Sequence, residues 1–171
     1  DIQRKIRLAT VLGTWQSTLT NFRYVSNKWK LNCEEERLLG VSLTGIMDNK
    51  LTNGHNLLAP EDISSLFEKL EDLKAVAKGQ NQWMSDQIGI NPSAAITAIK
   101  PSGTVSQLVN SASGIHTRHS PYYVRTVRGD NKDPITKFMI EQGVPFEKDV
   151  VKPETGTVFS FPMKSPENAL C

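Results

Sequence analysis

The residues best suited to chemistry in this 171-residue chain stand together at Pro101-Ser102-Gly103-Thr104-Val105-Ser106. Proline fixes one φ angle, and glycine leaves out a side chain where a ligand can approach the backbone. Ser102, Thr104 and Ser106 add hydroxyls. Such a turn offers anion binding: successive backbone N–H groups converge on a phosphate, and a helix beginning just after adds partial positive charge. The spacing is neither the GxxxxGK(S/T) of a Walker loop nor the GxGxxG of a dinucleotide fold. Pro, Ser and Gly are also ordinary turn residues, and Ser or Thr an ordinary helix cap, so residue types alone leave an anion site and a plain capped turn both open. Lys100, next to the loop, would either add charge or face solvent.

Other candidates are weaker. His116 and His119 stand three apart with no Cys or carboxylate at ligand spacing, so no metal site is expected. The two cysteines, Cys33 and Cys171, form no CxxC and no Cys/His cluster, which argues against a disulfide framework and a structural zinc, and fits a reducing, cytoplasmic setting. Arg118, Arg125 and Arg128 with Tyr122 and Tyr123 are the residue types of an RNA-stacking strand. Alternation sets Tyr123 and Arg125 on one face and Tyr122 and Val124 on the other, which an ordinary strand with one solvated edge also explains. The formal charge of +2 is too mild to argue for nucleic-acid or membrane partners. No apolar run approaches the roughly 20 residues of a membrane span, and Asp1 to Leu8 is no signal peptide.

The elements that must position these residues read as α/β. Hydrophobic residues make up 38% and charged residues 22%, so a folded core is expected. Residues 2–25 predict one helix with an apolar stripe of Ile2, Leu8, Leu12, Trp15, Leu19 and Phe22. Residues 26–36 read as a polar connection, Glu34–Glu36 as a solvated cap, and 37–44 as a short buried strand. Asn49–Leu58 is a loop around Asn53-Gly54. Pro60 opens a helix to about Gln87, with Ile63, Leu66, Phe67, Leu70, Leu73 and Val76 at helical spacing. Trp15 and Trp83 fall on the apolar faces of these two helices and are expected in the core. Ala94–Ile99 predicts a strand buried on both faces, delivering the chain to the loop. A short helix follows at 106–109, then loop at 111–120, a strand at 122–128, and a helix from Asp133-Pro134 to Gly143. Candidate strands follow at Val150–Val151 and Thr157–Phe161, the latter closed by Pro162. Asp1 opens inside a helical pattern and Glu167–Leu170 reads as the start of a new element, so an excised piece of a longer chain is expected.

The run from Ser93 to Arg128 closely resembles adenosylcobalamin-dependent (class II) ribonucleotide reductases, the ribonucleoside-triphosphate reductase type in particular. The likeness rests on Lys100-Pro101-Ser102-Gly103-Thr104-Val105-Ser106, then Gly114-Ile115-His116, then Tyr122-Tyr123-Val124-Arg125-Thr126-Val127-Arg128. Arg37 to Ile46 is similar to that family's strand and turn entering the later half of its barrel, and Val158 to Pro162 to a later strand. The resemblance implies that residues 1–171 are a portion of a ten-stranded α/β barrel, incomplete here. It implies that Pro101 to Ser106 bind substrate phosphates, with Gly114, Ile115 and His116 near the active site in no assigned role. It implies adenosylcobalamin as cofactor, a ribonucleotide (triphosphate) substrate, the remainder of the reductase chain, and a reductant such as thioredoxin. No catalytic residue is carried over. The family's N-x-C-x-E motif lies upstream of the phosphate loop, and Asn32-Cys33-Glu34-Glu35-Glu36 has the wrong pattern for it. The isolated piece is expected to be inactive. The competing expectation is a stand-alone nucleotide- or phosphate-binding module without catalysis.

Overall fold

The computed structural model describes residues 1–54 and 60–171. The end of the expected Asn49–Leu58 loop, from 55 on, lies outside the described residues. Contacts divide the chain into two units, Asp1–His116 and Thr117–Cys171.

The first unit is built on two helices, α1 (Ile2–Gln16) and α3 (Pro60–Ile88), with α2 (Asn27–Glu36) between them in sequence. α1 stops well short of the expected residue 25. Ser17 Oγ donates to the Thr14 carbonyl at 2.7 Å and Thr18 Oγ1 to the Trp15 carbonyl at 2.7 Å. These hydroxyls take over the last-turn carbonyls and the helix ends there. The buried line of α1 is Ile6, Thr10 and Thr14, while Leu8, Leu12 and Trp15 are exposed, so the expected stripe is not the packed one. The same shift occurs in α3. Its buried residues are Ala77, Asn81, Met84 and Ser85, and Ile63, Phe67 and Trp83 are exposed. Neither Trp15 nor Trp83 is a core residue. The helices approach through small and polar residues: Thr10 and Thr14 each satisfy their hydroxyl on a carbonyl one turn earlier, at 2.8 Å. Such residues pack without an apolar pattern that sequence can reveal.

α2 replaces the expected polar connection. It buries no residue, so it carries no apolar period to recognise. Arg37 closes it in the left-handed conformation and donates from Nη1 to the Ser17 carbonyl at 2.7 Å.

The two strands expected at 37–44 and 94–99 form one parallel bridge, Val41 to Thr97. The pairing runs Ala94 N to Glu36 O (2.8 Å), Leu39 N to Ala95 O (2.9 Å), Val41 N to Ile96 O (2.8 Å) and Ala98 N to Val41 O (3.0 Å). Ile96 is buried with Ile6 and Ala77, but Ile99 is 77% exposed, so the segment is not covered on both faces. Each segment has one neighbour here, which leaves its far edge and one face open.

The second unit is a three-stranded antiparallel sheet ordered β1 (Tyr122–Asp130), β3 (Gly156–Lys164), β2 (Phe146–Lys148), with α5 (Pro134–Glu141) after β1. Asp133 caps α5 by accepting the Ile135 amide at 2.9 Å, and Pro134 takes the first turn. α5 sits close against β1 at Gly129, where a Cβ would run into Thr136. β2 and β3 form a hairpin, pairing Phe146 with Phe159. Two expectations fail. Val150 and Val151 are 96% and 79% exposed and lie in the connection between β2 and β3, because the Asp149 carboxylate accepts the Val151 and Lys152 amides and folds a turn there. β3 also continues through Pro162 to Lys164. Ser160 N donates to Pro145 O on the β2 side. By alternation the missing N–H of Pro162 falls on that same side, beyond the end of β2, where no ladder bond is needed.

Candidate functional site

The loop at 101–106 is delivered by the extended segment 94–98 and received by a four-residue helix, α4 (Val105–Leu108). Among the described residues, the amides of Ser102, Gly103, Thr104, Val105 and Ser106 donate no hydrogen bond. The first engaged amide is that of Gln107, to the Thr104 carbonyl at 3.0 Å. Thr104 occupies the N-cap position of α4 but makes no side-chain cap bond, so the plain capped turn is not what forms. A helix of one turn sums little dipole. What the loop offers an anion is therefore the peptide hydrogens of Ser102 to Val105, since Ser106 is fully buried.

The loop is held in place from remote segments. Thr44 Oγ1 lies 3.0 Å from Ser102 Oγ and 3.3 Å from Ser111 Oγ, and donates to the Ala112 carbonyl at 3.2 Å. Ser102 Oγ also accepts the Gly114 amide at 3.0 Å. Asp48 Oδ2 accepts the Ala112 amide at 2.6 Å, and the Gly45 amide donates to the Ala112 carbonyl at 2.9 Å. Ser106 is fully buried and donates from its hydroxyl to the Ser102 carbonyl. Of the three hydroxyls expected to support an anion, two are thus turned inward, and Thr104 alone keeps an unengaged, exposed side chain among the described residues. Lys100 lies against Gly40, its Nζ 3.5 Å from where a Cβ would stand there.

Gly45 and Gly114 both have positive φ (71° and 53°), and added Cβ atoms would stand 3.0 Å from Ser111 Cβ and 3.3 Å from the Lys100 carbonyl. The chain's own packing demands both. Gly103 has no positive φ, and a Cβ there would meet nothing within 4 Å. The chain itself gives no reason for a glycine at 103.

Of the three residues expected near the active site, Gly114 touches the loop through Ser102. Ile115, 52% exposed, lines an open apolar groove of about 470 Å³ with Ile6, Val41, Leu43 and Leu73. His116 is exposed and ends the first unit, whereas His119 belongs to the second, where its ring meets Tyr123 edge-on at 6.4 Å. Among the described residues, no three His, Cys, Asp or Glu side chains come together as a metal site. Thr44, Ser111 and Asp48 were not expected as site residues. The one available signal was a Thr-Gly pair at the end of the 37–44 segment.

Part of the Tyr/Arg segment is engaged within its own unit, while Tyr122 is 69% exposed. Arg118 is 6% exposed and donates to the Tyr123 hydroxyl at 3.3 Å. Arg128 Nε lies 3.0 Å from Asp149 Oδ2. The Val151 and Lys152 amides, and after them the Arg128 guanidinium, hold the Asp149 carboxyl below its usual range. Cys33, a free thiol on α2, lines a groove of about 310 Å³ with Leu19, Phe22, Trp29 and Leu38.

No family model matches the chain. It is 28% identical over 158 residues to the adenosylcobalamin-dependent ribonucleoside-triphosphate reductase of Lactobacillus leichmannii, covering 80% of this chain and 21% of that protein. The proteins of the same name from Lactobacillus acidophilus and Levilactobacillus brevis are 28% and 26% identical over 149 residues, covering 77% of this chain and 20% of each. The chain spans about a fifth of the length of the curated relatives it matches. Among solved structures, a crystal structure of B12-dependent (class II) ribonucleotide reductase matches with a TM-score of 0.75 and 24% identity, over 98% of this chain and 25% of that one. The fold is that of part of such an enzyme, and the resemblance read from residues 93–128 is borne out by these relatives.

Proposed function

We propose that residues 1–171 are part of the catalytic barrel domain of an adenosylcobalamin-dependent ribonucleotide reductase, and that the loop at Pro101, Ser102, Gly103, Thr104, Val105 and Ser106 holds the substrate's phosphates. The observation that carries the reading is the row of unengaged amides on either side of a glycine whose open space nothing in the chain requires. A phosphate oxygen seated there would accept several main-chain bonds at once. Bonds to a charged partner contribute about 1.5–3 kcal/mol each, more than neutral ones. The exposed Thr104 hydroxyl can add one more. Ser102 contributes its amide, since its hydroxyl is engaged with Thr44 and Gly114.

The relatives support the reaction proposed for the whole enzyme. A ribonucleoside triphosphate would be reduced at its 2′ carbon, and a small reducing protein such as thioredoxin would restore the enzyme. When bound, adenosylcobalamin supplies the radical that starts the reaction. No step is derived through it, and this part of the enzyme carries no radical cysteine in the proposal. Its role is to anchor one end of the substrate, which fixes where the ribose lies.

The test is Gly103→Val in the protein that carries this chain. The open space and ordinary φ at 103 let the fold accept the new side chain, while its bulk occupies the phosphate position. Affinity for CTP should fall by about tenfold or more, the equivalent of at least one lost charge-assisted bond. Thermal unfolding should not change. Wild-type affinity in the variant rules the assignment out.

A further inference from the structure

The geometry points to Thr44 as a positioning residue that sets the direction of the loop's amides without touching the nucleotide. The inference rests on the phosphate-loop reading and adds a residue outside the loop.

Hydrogen accounting at this junction leaves little freedom. A threonine hydroxyl has one proton and two acceptor sites. Thr44 Oγ1 donates to the Ala112 carbonyl at 3.2 Å. With the Thr44 proton on that carbonyl, the Ser102 hydroxyl, 3.0 Å away, is the donor to Thr44, and the Ser111 hydroxyl at 3.3 Å faces the second acceptor site. In turn it receives the Gly114 amide at 3.0 Å on its own lone pair. The Ser102 proton is spoken for, so its side chain cannot give it to a phosphate while the junction stands. The chain of bonds runs Gly114 to Ser102 to Thr44 to Ala112, and Ala112 is gripped from its other side by Asp48 Oδ2 at 2.6 Å.

The consequence is directional. Ser102 is the first residue of the loop with an amide to offer, because Pro101 has none. Fixing the Ser102 side chain fixes the orientation of the peptides on both sides of it, including the amides of Ser102 and Gly103. Gly45, held at φ 71° against Ser111, places Thr44 at the end of its segment and facing the loop. Thr44 itself is exposed, so water can take over its partners if its hydroxyl is removed. Its role is therefore in aiming the loop and not in holding the fold.

Three variants test this in the protein that carries this chain, with CTP and cytidine as the probes. Thr44→Val keeps the shape and removes the hydroxyl. It should weaken CTP binding roughly 5- to 20-fold, the scale of one or two net hydrogen bonds, and leave cytidine binding and the melting temperature unchanged. Thr44→Ser, which restores the oxygen, should recover wild-type CTP affinity. Thr44→Ala repeats the measurement should the valine variant not fold. An equal loss for CTP and cytidine, or failure of serine to rescue, overturns the proposal, because a merely structural threonine would not discriminate by phosphate. Wild-type CTP affinity in Thr44→Val, alongside a loss in Gly103→Val, overturns the positioning role and leaves the loop assignment standing. Wild-type affinity in both variants overturns both.

Discussion

Replacing Asn81 by alanine should loosen the start of the segment that delivers the 101–106 loop, and the size of the effect can be worked from the contacts. Asn81 is fully buried on α3. Its Nδ2 donates to Thr14 Oγ1 at 2.9 Å and to Ser93 Oγ at 3.0 Å, and its Oδ1 accepts the Ser93 amide at 2.8 Å. Thr14 survives the change as a donor, since it already donates to the Thr10 carbonyl at 2.8 Å. Ser93 loses more: its amide has no other acceptor among the described residues. An orphaned, partly buried donor costs about 1–3 kcal/mol, and the small void left behind adds to it, so a total of roughly 2–4 kcal/mol is expected. Native-state hydrogen exchange reads this locally. The Ser93 amide should exchange about 30-fold faster or more in Asn81→Ala, because 1.4 kcal/mol is a factor of ten. The companion change Thr14→Val removes the acceptor of one Asn81 bond. The two should couple by about 1 kcal/mol in a double-mutant cycle. Unchanged Ser93 exchange, or strict additivity with Thr14→Val, would refute the idea that this polar plug anchors the segment.

Asp149 gives a pH prediction. Its pKa is lowered in the fold, by the Val151 and Lys152 amides first and Arg128 after them. A lowered folded-state pKa means stability that is present above the unfolded carboxylate value and lost as pH falls through the folded one. Amide exchange in the β2–β3 connection should therefore speed up as pH drops below about 4, after correction for the intrinsic rate. Asp149→Asn should remove that dependence; an unaltered profile in the variant assigns the acid sensitivity elsewhere. For Cys33, the expectation is that Cys33→Ser leaves deoxynucleotide formation by the protein that carries this chain at the wild-type rate. Loss of turnover with normal CTP binding would place this thiol in the chemistry and overturn the expectation that residues 32–36 are not the radical-cysteine motif.

Pattern in the sequence located the elements better than the faces they bury. α3 begins at Pro60 and ends one residue past the expected limit, because a proline at the first turn and a glycine after the last are local signals that need no tertiary context. Its buried face was misjudged, since Ala77, Asn81 and Ser85 are chosen by how closely α1 approaches and not by hydrophobicity. α1 shows the same: threonines that hydrogen-bond to their own helix behave as small core residues. α2 was invisible for the complementary reason, having no buried residue to set a period. In the second unit, Pro162 was read as a strand end by a rule that holds for paired strands. It fails because the proline's missing donor falls on the β2 side of β3 but beyond the end of β2, where no ladder bond is needed.

The residue types of the loop stand out in the sequence, and its wiring does not, because hydroxyls look alike in sequence. Ser102, Thr104 and Ser106 alternate along six residues, yet only the coordinates separate the one that is free from the two that brace the turn. The glycines sort by the same logic. Gly45 and Gly114 answer to positive φ and to a neighbouring atom closer than ordinary van der Waals contact, and either explanation would suffice without any ligand. Gly103 answers to neither. In the proposed reading, a residue that the fold would let grow, standing among amides that the fold leaves unpaired, answers to a ligand outside the chain. An anion satisfies both demands at once: it fills the space and accepts the hydrogens. Water would satisfy the amides but would not require the glycine. That difference is why enlarging residue 103, and not deleting a neighbouring hydroxyl, is the decisive perturbation of this loop.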